Sequence, residues 1–185
     1  MNGVIVQLPS IGAGGALGAS GNLIFGIGTQ SNNALGGATI LTANGQSSPD
    51  AGNFTTNFDG QTGLTAFIDS GSNALYFPNS TSAPITECGT PPYPLIDFYC
   101  PASNPPTSPL DLSAVMVGEN TTTSAVSFQI VDLNQLDTNY FAQPDVGATA
   151  SSFFDWGLPF FYGRTVYVAI DGADAGGTNG PYYAF

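Results

Sequence analysis

The feature that most restricts the fold is punctuation: 24 glycines and 14 prolines recur along 185 residues and cut the apolar sequence into short pieces. Pieces of this length, rich in β-branched and aromatic residues, read as strands separated by turns. The predicted strands are Val4–Leu8, Asn22–Gly28, Ala38–Thr42, Asn53–Phe58, Leu64–Asp69, Ala74–Phe77, Leu112–Val117, Ser124–Val131, Thr165–Asp171 and Tyr182–Phe185. Two alternate clearly. Val126, Phe128 and Ile130 oppose Ser127 and Gln129, and Val166, Val168 and Ile170 share one face. Only Asp132–Phe141 is predicted helical, with Asp132 as N-cap and Leu133 and Leu136 at helical spacing. The expected fold is therefore all-β, a barrel or sandwich with one short helix, in a single unit over residues 1–185. Gly12–Gly21 and Gly172–Gly180 read as Gly-rich loops or inserts.

Missing residue types exclude much chemistry. The chain has no His and one basic residue, Arg164, against 13 acidic ones, for a net charge of −12. Without His there is no Ser-His-Asp or Cys-His nucleophile, and the commonest transition-metal ligand is missing. Without Lys there is no Schiff base, Walker-type phosphate lysine or Ser-Lys dyad. A single arginine makes no basic patch, so neither nucleic acid nor an anionic membrane is an expected partner, and no cofactor or metal is expected. Hydroxyls, phenols, amides and carboxylates remain. In acid the carboxylates would be neutralised with few cations left to repel one another, so an acidic environment is tolerable; an acidic, Lys-poor surface is also common in exported proteins.

Cys88 and Cys100 lie in a proline-crowded stretch, Thr90-Pro91-Pro92-Tyr93-Pro94 between them and Pro101 and Pro105-Pro106 after, with no histidine to complete a metal site. A disulfide is expected, hence an oxidising compartment and export. Residues 1–25 contain no charged leader, and no apolar run approaches the roughly 18 residues of a membrane span, so an export signal is expected upstream.

The segment Thr65-Ala66-Phe67-Ile68-Asp69-Ser70-Gly71-Ser72-Asn73-Ala74-Leu75-Tyr76-Phe77-Pro78 delivers an aspartate from an apolar strand into a small-residue turn that a second apolar strand leaves. By itself this is either an Asx-turn or a carboxylate site, in which Asp69 is expected to be buried at the strand end, with Gly71 allowing close backbone approach and the serines donating to it. The segment resembles the active-site loop of pepsin-like aspartic peptidases. Phe154-Asp155-Trp156-Gly157-Leu158-Pro159-Phe160-Phe161, followed by the strand ending at Ile170-Asp171, is similar to that fold's closing segment, and Val4–Leu8 with Leu23–Gly28 to the opening strands of its C-terminal lobe. Phe25-Gly26-Ile27-Gly28-Thr29-Gln30-Ser31-Asn32-Asn33, Trp156–Phe161 and Gly180-Pro181-Tyr182-Tyr183 look like a family of uncharacterised exported bacterial proteins in which an N-terminal half with its own Asp-Thr-Gly loop comes first.

The resemblance implies a pepsin-like acid-protease barrel lobe, the C-terminal half of a two-lobed protein. Asp69 would be the catalytic carboxylate, Ser70 would bond across the lobe interface, and Ser72 would donate to the outer oxygen of Asp69. Gly157, preceded by Trp156, would lie beneath the loop; Asp155 departs from the apolar residue of the pattern. The partners implied are a peptide or protein substrate and a second Asp-bearing lobe, supplied by an N-terminal half or a homodimer, because the mechanism needs two carboxylates sharing a proton. The alternative is a non-catalytic envelope or interaction domain on the same fold.

Other constellations are weaker. Asn53-Phe54-Thr55, Asn79-Ser80-Thr81 and Asn120-Thr121-Thr122 match glycosylation sequons. Asp171 and Asp174, near Gly172, Gly176 and Gly177, read as a solvated turn or a surface Ca²⁺ loop. Tyr182, Tyr183 and Phe185 read as a closing strand.

Overall fold

A computed structural model describes residues 1–89, 97–101 and 109–185; the proline runs at 90–94 and 105–106 lie outside the described residues. The strands are β1 (Gly3–Gln7), β2 (Asn22–Phe25), β3 (Ile40–Thr42), β4 (Phe54–Phe58), β5 (Gln61–Ile68), β6 (Leu75–Phe77), β7 (Leu110–Val117), β8 (Thr123–Ile130), β9 (Gly147–Thr149), β10 (Phe153–Trp156), β11 (Thr165–Ala169), β12 (Asp174–Ala175), β13 (Thr178–Asn179) and β14 (Tyr182–Ala184). They form a seven-stranded sheet in the order β8-β7-β4-β5-β10-β6-β9, a five-stranded sheet β2-β1-β11-β14-β3 and the small β12-β13 hairpin. The larger sheet curls into a half-barrel.

The single α-helix among the described residues, α1 (Leu158–Phe161), is one turn and does not coincide with the predicted one. Residues 132–141 instead hold a 3-10 turn, Leu133–Gln135, capped by the Asp132 carboxylate accepting from the Asn134 amide. Two apolar positions bury too little surface to extend it, and Asp137 accepts from the Asn139 amide at 2.9 Å, a local bond that competes with helix. In α1, by contrast, Pro159 presets the first turn and Pro159, Phe160 and Phe161 are all buried. Strands β9 and β10 fall outside the alternation-based set. β10 is covered on both faces, so Phe154, Asp155 and Trp156 are all buried and no polar alternation marks it.

The main core fills the half-barrel with Phe54, Phe58, Phe77, Tyr99, Met116, Phe154 and Trp156. Phe154 stacks on Trp156 at 4.3 Å between ring centroids, and Phe77 lies 5.4 Å from Phe154. β11 joins two cores. Val166 and Val168 face the main cluster, whereas Tyr167 and Ala169 belong to a second one with Ile5, Ile27 and Tyr182. The shared face of Val166 and Val168 is thus as predicted, but the opposite face is covered too, and Ile170 is exposed beyond the strand.

Cys88 and Cys100 are joined in a disulfide spanning 12 positions. The Cys88 amide donates to Phe98 O and the Cys100 amide to Thr86 O, so a short ladder aligns the two cysteines. Among the described residues no helix is long and apolar enough to cross a membrane.

Candidate functional site

β10 lies between β5 and β6, parallel to β5 and antiparallel to β6. Because β5 and β6 are separated by β10, the Asp69–Ala74 turn has to cross the end of β10, and this places Asp69 beside Gly157. The Asp69 amide donates to Trp156 O at 3.1 Å, and the Leu158 amide to Ser72 O at 2.7 Å. Gly157 is buried beneath the turn. A Cβ on it would collide with Ala74 O and fall 2.8 Å from Ser72 O. Trp156, fully buried, anchors the strand end by donating its indole N–H to Thr56 Oγ1 at 3.1 Å.

The turn holds the Asp69 carboxylate by both oxygens. The Gly71 amide donates to Oδ1 at 2.8 Å and the Ser72 hydroxyl to Oδ2 at 3.0 Å. Gly71 has no Cβ to crowd the carboxylate; one placed there would lie 3.1 Å from Oδ1. Asp69, Ser70 and Gly71 are exposed, whereas Ser72 is half-buried. The expectation of a buried Asp69 therefore does not hold: the turn sits at the sheet end and presents the carboxylate outward, where two fixed donors orient it.

Beside this exposed carboxylate is a buried one. Asp155 is 4% exposed and its Oδ1 has no hydrogen-bond partner among the described residues. Burial first, and the neighbouring Asp69 charge second, push its carboxyl up to about 6, against a lowering contribution from Ser72. Tyr76, opposite Asp155 in the register, is raised above the ordinary phenol value by burial and then by the Asp155 charge. Tyr183 stands on the Asp69 side and is likewise raised, chiefly by burial. From sequence Asp155 is only a departure from an apolar pattern. The missed signal is its place between Phe154 and Trp156, both large and apolar, which puts a carboxylate in a buried strand.

Three further sequence sites separate from this one. Asp171 accepts from the Gln46 amide at 2.7 Å and Asp174 from the Gly177 amide at 2.9 Å, so both carboxylates serve turns, and among the described residues no three acidic, His or Cys side chains gather as a metal site. Asn79 uses both side-chain atoms on Ile85, and Asn120 donates to Ile40 O. Tyr182–Ala184 closes the five-stranded sheet between β11 and β3.

A groove of about 700 Å³ adjoins the same strand ends, lined by Leu75 and Trp156 and bordered by Phe128, Asp145, Tyr162 and Arg164. Burial pushes the Asp145 carboxyl up to about 6, and Arg164 donates to Phe160 O at 2.7 Å while lying 4.6 Å from that ring's centroid. Asp69 does not line it. The Asp69 turn is the better candidate, since two donors already orient its carboxylate.

No curated protein and no solved structure matches the chain. A family model described as "Protein of unknown function (DUF3443)" matches residues 1–185, and the chain belongs to that family.

Proposed function

We propose that the chain is an aspartic-endopeptidase-like half-site on a pepsin-like lobe, exported and completed by a second Asp-bearing lobe or by a second copy of itself. The observation that carries this reading is the double hold on Asp69, by the Gly71 amide and the Ser72 hydroxyl, above a glycine that only a bare Cα can occupy. The same arrangement is what the loop's likeness to pepsin-type peptidases implies. The disulfide fits a non-cytoplasmic location.

In the reaction proposed, Asp69 and a facing carboxylate share one proton. The ionised member takes a proton from water as that water attacks the peptide carbonyl; the protonated member donates toward the carbonyl oxygen as negative charge develops there. Ser70, exposed beside Asp69, would bond to the completing lobe. A specific observation favours the non-catalytic alternative for the chain alone: Asp69 is exposed, and an exposed carboxylate without a facing partner cannot act as acid and base together.

A denatured protein substrate incubated with the chain from acid to neutral pH, over a range of chain concentrations, tests the proposal. Hydrolysis is expected only in acid, to rise more steeply than linearly with concentration if two copies assemble, and to vanish in Asp69→Asn. Robust hydrolysis that survives Asp69→Asn overturns the reading, and its absence under every condition favours the binding domain.

A further inference from the structure

Arg164 is the only basic side chain in a chain with 13 acidic ones, and no carboxylate among the described residues pairs with it. Its Nη1 donates to Phe160 O at 2.7 Å, and its guanidinium lies 4.6 Å from the Phe160 ring centroid. That uses one of the five N–H donors of the fork. The side chain is half-buried, and burial alone lowers its value, so the cation has given up part of its water without gaining an anion. It borders the groove of about 700 Å³, where Ile11, Leu112 and Phe128 are each only half-buried above Trp156 and Phe160.

The same groove runs along Val126–Gln129 of β8, the outermost strand of the seven-stranded sheet. The direction of that strand's backbone groups follows from its hairpin. The Gly118 amide donates to Thr122 O at 2.9 Å, so this pair exchanges bonds, and the ladder then alternates through Met116↔Ser124, Ala114↔Val126 and Leu112↔Phe128. At Ala125, Ser127 and Gln129 the N–H and C=O groups therefore point away from β7, and they have no partner among the described residues. An open strand edge beside a half-buried, anion-free arginine offers two things a peptide end supplies together: an extended backbone and a terminal carboxylate.

We propose that this groove binds the C-terminal segment of a peptide, which adds as an extended strand to the β8 edge, sets an apolar last side chain against Ile11, Leu112 and Phe128, and places its terminal carboxylate on the Arg164 guanidinium. Backbone bonds to the edge are indifferent to peptide sequence; the carboxylate and the apolar pocket restrict binding to a chain end with an apolar last residue. The other titratable groups along the groove are Asp111, Asp145 and Tyr162. Asp111 is engaged by Gln129 Nε2 at 2.7 Å, Tyr162 is raised by burial and stays neutral, and Asp145, raised to about 6, carries no charge in mild acid. The site does not include Asp69, so it stands whether or not that carboxylate hydrolyses peptides.

The test titrates the full chain near pH 5, where a terminal carboxylate is ionised and Asp145 is protonated, in about 0.15 M salt to screen the distant carboxylates. The probes are the tetrapeptide Ala-Ala-Ala-Phe with a free C-terminus, the same peptide as its C-terminal amide, and N-acetyl-phenylalanine. Binding is read from the fluorescence of Trp156, the only tryptophan, and from the amide resonances of Ala125, Ser127 and Gln129. The free-acid peptide is expected to bind at least about tenfold more tightly than the amide, and Arg164→Gln to abolish that difference. Its binding should shift the three β8 amides, and N-acetyl-phenylalanine, which has the carboxylate and ring but no strand, should bind at least about tenfold more weakly. Equal affinity for acid and amide in the unmodified chain overturns the arginine's part without recourse to a variant that could misfold. Binding of N-acetyl-phenylalanine as tight as that of the peptide, or β8 amides that do not move, overturns strand addition and leaves a site for small apolar acids. No binding of any probe overturns the proposal as a whole.

Discussion

Gly157 and Asp155, two positions apart on the same stretch, exert opposite demands on stability. Gly157 is required by space: a methyl group there meets the backbone oxygens of Ala74 and Ser72, which cannot move without breaking the turn. Gly157→Ala is expected to cost about 3 kcal/mol, at the upper end of overpacking penalties, and to lower the denaturant midpoint accordingly. Asp155 is a cost at neutral pH. Its folded value, about 6, is raised above the ordinary 3.8, so the folded chain holds its proton more tightly and stability falls as pH rises between those values. The penalty at neutral pH is on the order of 3 kcal/mol. Asp155→Asn should therefore stabilise the chain at neutral pH and leave it nearly unchanged near pH 4; equal effects at both pH values in urea unfolding would contradict the burial argument.

Strand elements were legible where one face met solvent and obscure where both were covered. β8 alternates because Ser127 is exposed while Val126 and Ile130 are buried, whereas β10 is buried at three successive positions, Phe154, Asp155 and Trp156, and offers no period. The short helix was misplaced for a related reason: four residues cannot display a helical repeat, and α1 exists because its aromatics enter the core. In the β7–β8 hairpin, Thr121 adopts φ 62°, a conformation costly for a β-branched residue. Thr121→Gly is expected to stabilise by roughly 0.5–1 kcal/mol, read as a rise in Tm. The Cys88–Cys100 bridge closes a loop of 12 positions, so Cys88→Ser with Cys100→Ser should destabilise by roughly 3 kcal/mol if chain entropy is its main contribution. A change within error would show that neighbouring structure already holds the loop.

At the scale of the whole molecule, stability should peak in mild acid. Asp145 and Asp155, both raised to about 6, withdraw stability as pH climbs from about 4 to about 6, and the −12 charge adds self-repulsion above that. Asp59 acts in the opposite direction. Its carboxylate accepts from the hydroxyls of Ser80 and Ser82 and the amides of Thr81 and Ser82, which holds it well below the ordinary value, so the stability it contributes is present above about 4 and lost as pH falls through its lower folded value. A Tm maximum near pH 4–5 is expected by calorimetry; a steady rise from acid to neutral pH would refute this balance. Sequence by itself determined the all-β class, because Gly and Pro spacing and alternation are local properties, and it determined the excluded chemistry, because an absent residue type is absent in any fold. It also marked the Asp69 turn, whose donors lie within three residues of the carboxylate. Only the tertiary structure decided that Asp69 faces outward and that Asp155 is buried beside it: those outcomes depend on β10 entering between β5 and β6, a pairing of residues nearly ninety positions apart in sequence that no local pattern records.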